Sequence, residues 1–238
     1  MNYLGHYVYN HEICGLPAEP YFVLGVALPD LWPRFSRTRR IRWSQVRAAA
    51  AGELRAAQLR AGLLNHAATD RRFHTLPAFL EWQEEVGSRA GRGAVHPTVR
   101  DFLTHLAIEL ALDHLLVRED AGRAEDFYDR VAGCDPLLVE RSLHVLAGVN
   151  AGGLGREIEA FVRRRFLARF AERQVPVAVM GFVLGLAGAR SAAPAWLLGE
   201  LFAAAAGLVQ PARIWSEMRA RGGSPAPVAP SEAPGGRE

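Results

Sequence analysis

The chain has 238 residues, half of them hydrophobic, which is enough to bury a substantial core in one large domain or two small ones. Charged residues make up 22% and the formal net charge is +3, yet all 28 basic residues are arginine, because the sequence contains no lysine. That composition excludes a Schiff-base lysine, a P-loop lysine and every other lysine-dependent mechanism.

The opening stretch, MNYLGHYVYNHE, lacks a basic segment followed by an apolar one, so no signal peptide is expected and a cytoplasmic location follows. Apolar periodicity then predicts an all-α chain, with helices over 18–29, 44–58, 59–74, 78–90, 97–118, 122–132, 136–148, 154–172, 176–189 and 193–219. Pro77, the stretch GRGAVHP at 91–97 and Asp135-Pro136 supply the breaks between them. Cys14 and Cys134 belong to no CxxC pattern and read as reduced core or surface residues. The apolar run 175–210 has the composition of a membrane hairpin. Its first segment is shorter than the ~20 residues a spanning helix needs, and its second carries Glu200 at the middle, so buried helices and no transmembrane segment are expected. Residues 1–220 read as a single multi-helix domain, and the Pro-, Gly- and Ser-rich stretch 221–238 as a disordered tail.

Two polar stripes interrupt the apolar pattern. On the 59–74 helix, His66, Asp70 and His74 recur every fourth residue and drift by about 40° per step. With His66 at zero, Leu59, Leu63 and Phe73 fall near about 20°, 60° and 340°, whereas Arg71, Arg72 and Asn65 fall near about 140°, 240° and 260°. The stripe therefore lies among apolar residues. On the 97–118 helix, Asp101, His105, Glu109 and Asp113 repeat the spacing on a circumference otherwise filled by Phe102, Leu103, Leu106, Ile108, Leu110, Leu112 and Leu115. A helix apolar nearly all round is buried, and unpaired carboxylates there are costly or become neutral.

A cation held between the two stripes resolves that conflict; a hydrogen-bonded core network is the alternative, and spacing alone does not choose between them. Imidazole with carboxylate suits Zn, Mn, Fe or Ni, and a carboxylate-rich set leans toward Mn or Mg. His66 and His74 are about 12 Å apart in helical rise, too far to share one ion. His66 and Asp70 are assigned to the metal, and His74 to the substrate or a second ion.

Four segments in order, MNYLGH with His6, GVALPDL with Asp30, GLLNHAATDRRFHTLP with Gly62, His66, Asp70 and Pro77, and IELALDHLL with Glu109, Asp113 and His114, resemble the acyl carrier protein phosphodiesterase family. The likeness covers residues 1 to about 118. It implies an HD-like, all-helical, metal-dependent enzyme that cleaves the phosphodiester joining phosphopantetheine to a carrier-protein serine. Mn2+ is the expected ion, with Zn2+, Mg2+ and Fe2+ as alternatives. The chain departs from the family pattern at Ala67, where an arginine is usual, at His74 and Glu109, where aspartates are usual, and after Asp30, where an aromatic is common.

The resemblance makes Asp30, His66, Asp70 and Asp113 the expected metal ligands, with His6 and His105 as further candidates. His74, His114 and Glu109 are the candidate catalytic residues, His114 or His74 protonating the leaving alkoxide. Phosphate needs positive charge, which only arginine can supply here, and RFSRTRRIRW offers Arg34 and Arg37 directly after Asp30. The same run is compatible with docking an acidic carrier protein, with nucleic-acid backbone binding, which is the least expected, or with a solvated loop. The favoured function is metal-dependent phosphodiester hydrolysis, on a carrier protein or a small phosphodiester. A zinc-dependent phospholipase C-like hydrolase and a non-catalytic helical binding protein with buried polar networks are the rivals.

Overall fold

The computed structural model describes residues 1–89, 95–188 and 193–221, and among them every regular element is helical. The chain opens with α1 (Tyr3–Val8), all of it buried, which widens into a π-helical turn over Tyr9–Ile13. It continues with α2 (Pro20–Phe35), α3 (Trp43–Ala48), α4 (Leu54–Phe73), α5 (Pro77–Arg89) and α6 (Pro97–Glu119). Then follow α7 (Gly122–Ala132), α8 (Pro136–Ala147), α9 (Leu154–Arg164), a 3-10 turn at Phe166–Arg169, α10 (Gln174–Leu186), α11 (Ala195–Leu208) and α12 (Pro211–Ala220). Proline supplies the first turn of α2, α6, α8 and α12, where its fixed φ suits a helix and its missing donor costs nothing.

Four boundaries differ from the periodicity reading. The helix read over 18–29 runs on to Phe35, past Asp30 and with Pro29 and Pro33 inside it. The break placed between 58 and 59 lies instead at 49–53, because the apolar face through Leu59 and Leu63 is continuous and Gly52 is the nearest weak helix former. The helix read over 154–172 ends at Arg164. Arg165 takes a left-handed conformation (φ 41°), and its guanidinium pairs with Glu125 and Asp129 on α7. Pro211 divides the helix read over 193–219 into α11 and α12, which meet at 64°. The α1 segment was not anticipated. The predicted tail lies outside the described residues from 222 onward; Arg221 itself donates to Thr75 Oγ1 (3.0 Å).

Buried apolar side chains form one cluster from Met1 to Met218, with α6 packed against α1, α5, α10 and α11. Among the described residues no single helix is long and apolar enough to cross a membrane. The expectation of buried helices over 175–210 holds for the inner face of α11 and only partly for α10, where Pro176, Met180 and Leu184 are buried while Phe182 stands out.

The pairing of α2 with α4 does most to position the polar residues. The two backbones approach at Gly25 and Gly62: a Cβ on Gly25 would run into the Leu59 carbonyl, and one on Gly62 into the Phe22 carbonyl. Only glycine allows this crossing. It brings the carbonyl of Val26 against the ring of His66.

Candidate metal centre

His6 on α1 and His66 and Asp70 on α4 each offer a ligand atom, and these three atoms lie within 4.8 Å of one another. Their hydrogen bonds fix which ring nitrogens face inward. His66 Nδ1 lies 2.9 Å from the Val26 carbonyl, which can only accept, so this nitrogen carries the hydrogen and Nε2 keeps its lone pair. The Thr69 hydroxyl reaches the carbonyls of Asn65 (2.9 Å) and His66 (3.1 Å) and gives its hydrogen to the helix. Its lone pair then accepts from His6 Nδ1 at 3.0 Å, which leaves His6 Nε2 as a bare acceptor. That nitrogen is buried, has no hydrogen-bond partner, and stands 3.5 Å from Asp70 Oδ1. An imidazole lone pair aimed at a carboxylate oxygen, with no hydrogen between them, is an arrangement that a cation satisfies.

A second group follows directly. His74 at the end of α4 and His105 and Glu109 on α6 also bring one ligand atom each within 4.8 Å. His74 Nε2 and His105 Nε2 lie 3.0 and 3.2 Å from the same oxygen, Glu109 Oε1. The Met1 ammonium reaches that oxygen at 2.9 Å and Asp70 Oδ1 at 2.6 Å. Asp70 joins the two groups, since its Oδ2 stands 3.5 Å from His74 Nδ1. Together the groups hold a divalent-type donor set of imidazoles and carboxylates, and each could bind a metal ion.

Burial and mutual charge set the protonation states. Burial drives His66 down to about 3, aided by neighbouring His6, and also lowers His6, so both rings are neutral ligands at ordinary pH. Burial alone would lower the Met1 ammonium, but Glu109 and Asp70 outweigh it and lift the group to about 10. Burial would raise Asp70 and Glu109; the ammonium holds both carboxyls below their usual range, joined at Glu109 by His105 and His74. Asp113 is pushed up to about 7 by burial, against the Gly5 N–H that it accepts at 2.8 Å. Asp30 is raised well above its ordinary value by burial and by repulsion from Asp70 and Glu109.

Of the ligands expected for one ion, the structure joins His66 and Asp70, and adds His6. Asp30 and Asp113 stand outside both three-residue groups, close enough to feel their charge, each with a shielded Oδ2 that has no partner. His74, His105 and Glu109 come together. His114 does not join them: its Nδ1 donates to the Phe170 carbonyl (2.5 Å) and its ring packs edge-on against Phe202, because it points one hundred degrees around α6 from Asp113. Arg34 lies 5.6 Å from the Phe182 ring, and Arg37 donates to the Leu186 carbonyl, so both serve contacts with α10.

Residue reading missed Met1, whose contribution comes from the backbone amine, and Thr69. Thr69 falls three residues after His66, on the same inward side of α4, a position that could have pointed to it. The acidic stripe of α6 is graded: Asp101 is 60% exposed, His105 35%, Glu109 15% and Asp113 fully buried. His6 and His66 are buried, whereas Asp70, His74, His105 and Glu109 are each part-exposed. A separate cavity of about 500 Å3, lined by Tyr7, His11, Glu12, Arg123 and Asp126 among others, contains none of the expected site residues. Comparison of the chain with protein-family models, curated proteins and solved structures finds no match.

Proposed function

We propose that the protein is a metal-dependent phosphodiester hydrolase, resembling acyl carrier protein phosphodiesterases in its ligand pattern. The observation that carries the metal claim is the convergence of one ligand atom each from His6, His66 and Asp70 within 4.8 Å of one another, with His6 Nε2 buried and without a hydrogen-bond partner. A divalent ion held there would lower the pKa of water toward neutrality and polarise a phosphoryl oxygen.

The chain's own residues perform the rest. Val26 and Thr69 hold the two inner rings so that Nε2 of each faces Asp70, which removes the reorientation that ligand capture otherwise requires. The half-exposed rim of His74 and His105 is where a phosphate arriving from solvent first meets the centre. The phosphodiester assignment rests on the ordered resemblance of residues 1 to about 118, Mn2+ being the ion it favours.

Purified protein should carry a divalent metal and hydrolyse at least one member of a phosphodiester panel, including phosphopantetheinylated carrier protein. His66→Ala should lower the bound metal and remove the hydrolysis. Metal-free protein that binds none of Mn2+, Zn2+, Mg2+ or Fe2+ overturns the proposal. A second reading, a non-catalytic helical protein with a buried polar network, is favoured by one observation: the Met1 ammonium already satisfies Asp70 and Glu109. Under that reading, added metal leaves the unfolding temperature unchanged.

A further inference from the structure

We infer that His74, His105 and Glu109 form a second divalent-cation site beside the first, so that the chain holds two ions. The inference rests on the reading of the His6–His66–Asp70 group as a metal site and extends it to the solvent-facing wall.

Three observations carry it. First, three nitrogens converge on Glu109 Oε1: the Met1 amine at 2.9 Å, His74 Nε2 at 3.0 Å and His105 Nε2 at 3.2 Å. A carboxylate oxygen has only about two lone pairs to offer them, so they cannot all be well satisfied as donors. Ligands held ~2.0–2.2 Å from a tetrahedral ion stand roughly 3.3–3.6 Å apart, so His74 and His105, now at 3.0 and 3.2 Å from Glu109 Oε1, would separate by only a few tenths of an ångström to admit one. Second, a cationic group already sits at the junction, since the ammonium touches both Asp70 and Glu109. The protein field there selects positive charge. Third, the two oxygens of Asp70 face opposite ways, Oδ1 toward His6 Nε2 and Oδ2 toward His74 Nδ1, each at 3.5 Å, so the second group lies directly beside the first. Four carboxyl groups, Asp30, Asp70, Glu109 and Asp113, act on one another across this region, and two divalent ions would balance them when all are ionised.

In this arrangement His74 and His105 act as ligands. His105, the most exposed of the three, is the residue whose loss should empty the outer site and leave the inner ligands in place.

The test is Mn2+ titration of the metal-free protein, with bound metal counted per chain. Two ions are expected for the wild type, and one for His105→Ala. A conservative His105→Gln should give the same loss of one equivalent, and circular dichroism should show both variants folded. One ion in wild type and variant alike overturns the second site and leaves the first standing. No bound ion in the wild type overturns both. Two ions retained by folded His105→Ala, or both lost together, also contradicts the assignment.

Discussion

The Thr69 hydroxyl decides which face His6 shows to the centre, because it passes its own hydrogen to the α4 backbone and accepts the one on Nδ1. Thr69→Val keeps the shape and removes that acceptor. Losing the hydrogen bond that orients a ligating imidazole typically costs ~10–100-fold in metal affinity. The variant should show such a weakening in a Mn2+ or Zn2+ titration while remaining folded by circular dichroism; unchanged affinity would remove Thr69 from the account. The acid behaviour of the metal-free protein follows from two neighbours of opposite sign. His66 titrates at about 3 when folded and near 6.5 when free, so the unfolded chain binds the extra proton between those values, and stability is lost as pH falls from about 6.5 toward 3. Asp113 sits at about 7 against 3.8, so the folded form holds the extra proton and stability falls as pH rises through that window. Denaturant titrations should show a flatter acid branch in His66→Gln and a flatter decline toward neutral pH in Asp113→Asn. Identical profiles in wild type and both variants would contradict these protonation states.

Elements place these residues, and glycine sets the closest approach. At the α2–α4 crossing a methyl group on Gly62 would meet the Phe22 carbonyl and the Val26 amide nitrogen, both backbone atoms that cannot rotate away. Overpacking costs typically ~1–3 kcal/mol, and prising α2 from α4 also moves the Val26 carbonyl off His66. Gly62→Ala should therefore lower the unfolding temperature and weaken metal binding together; a stable variant with full affinity would show that the crossing does not position the ring. The sequence made α4 and α6 legible as carriers of polar stripes, because four-residue spacing among leucines needs no tertiary knowledge. Residue arithmetic also separated His66 from His74, which now lie in different groups. It did not reveal α1 or the partners that α1 brings. Tyr3–Val8 is too short for periodicity to register, and His6 stood out only through its family resemblance. The assignment of His114 as a proton donor illustrates the same limit, since only packing shows that its ring turns toward Phe170 and Phe202.

Across the whole molecule, α6 runs from an exposed polar start to a fully buried Asp113, so the centre spans a gradient from solvent to core. That gradient buries His6 and His66 of the first group and leaves His105 of the second part-exposed. It also explains why no broad polar face marks the site in the sequence: the site residues share the buried side of each helix with Leu59, Leu63 and Phe73 on α4 and with Leu103, Leu110 and Leu112 on α6. The all-helical architecture followed from composition and period, whereas the close neighbourhood of α1, α4 and α6 depended on contacts far apart in the chain.

The central claim, that His6, His66 and Asp70 hold a divalent cation, is tested most directly by unfolding metal-free protein with and without Mn2+. An ion that binds only the folded chain adds about 2.7 kcal/mol at a hundredfold excess over Kd, which for a chain of this size raises Tm by roughly 5–10 °C. The wild type should show that rise, repeated with at least one of Zn2+, Mg2+ and Fe2+ if Mn2+ is not the preferred ion, and His66→Ala should not. A wild-type Tm that none of these ions moves, or a rise that persists undiminished in His66→Ala, would contradict the claim.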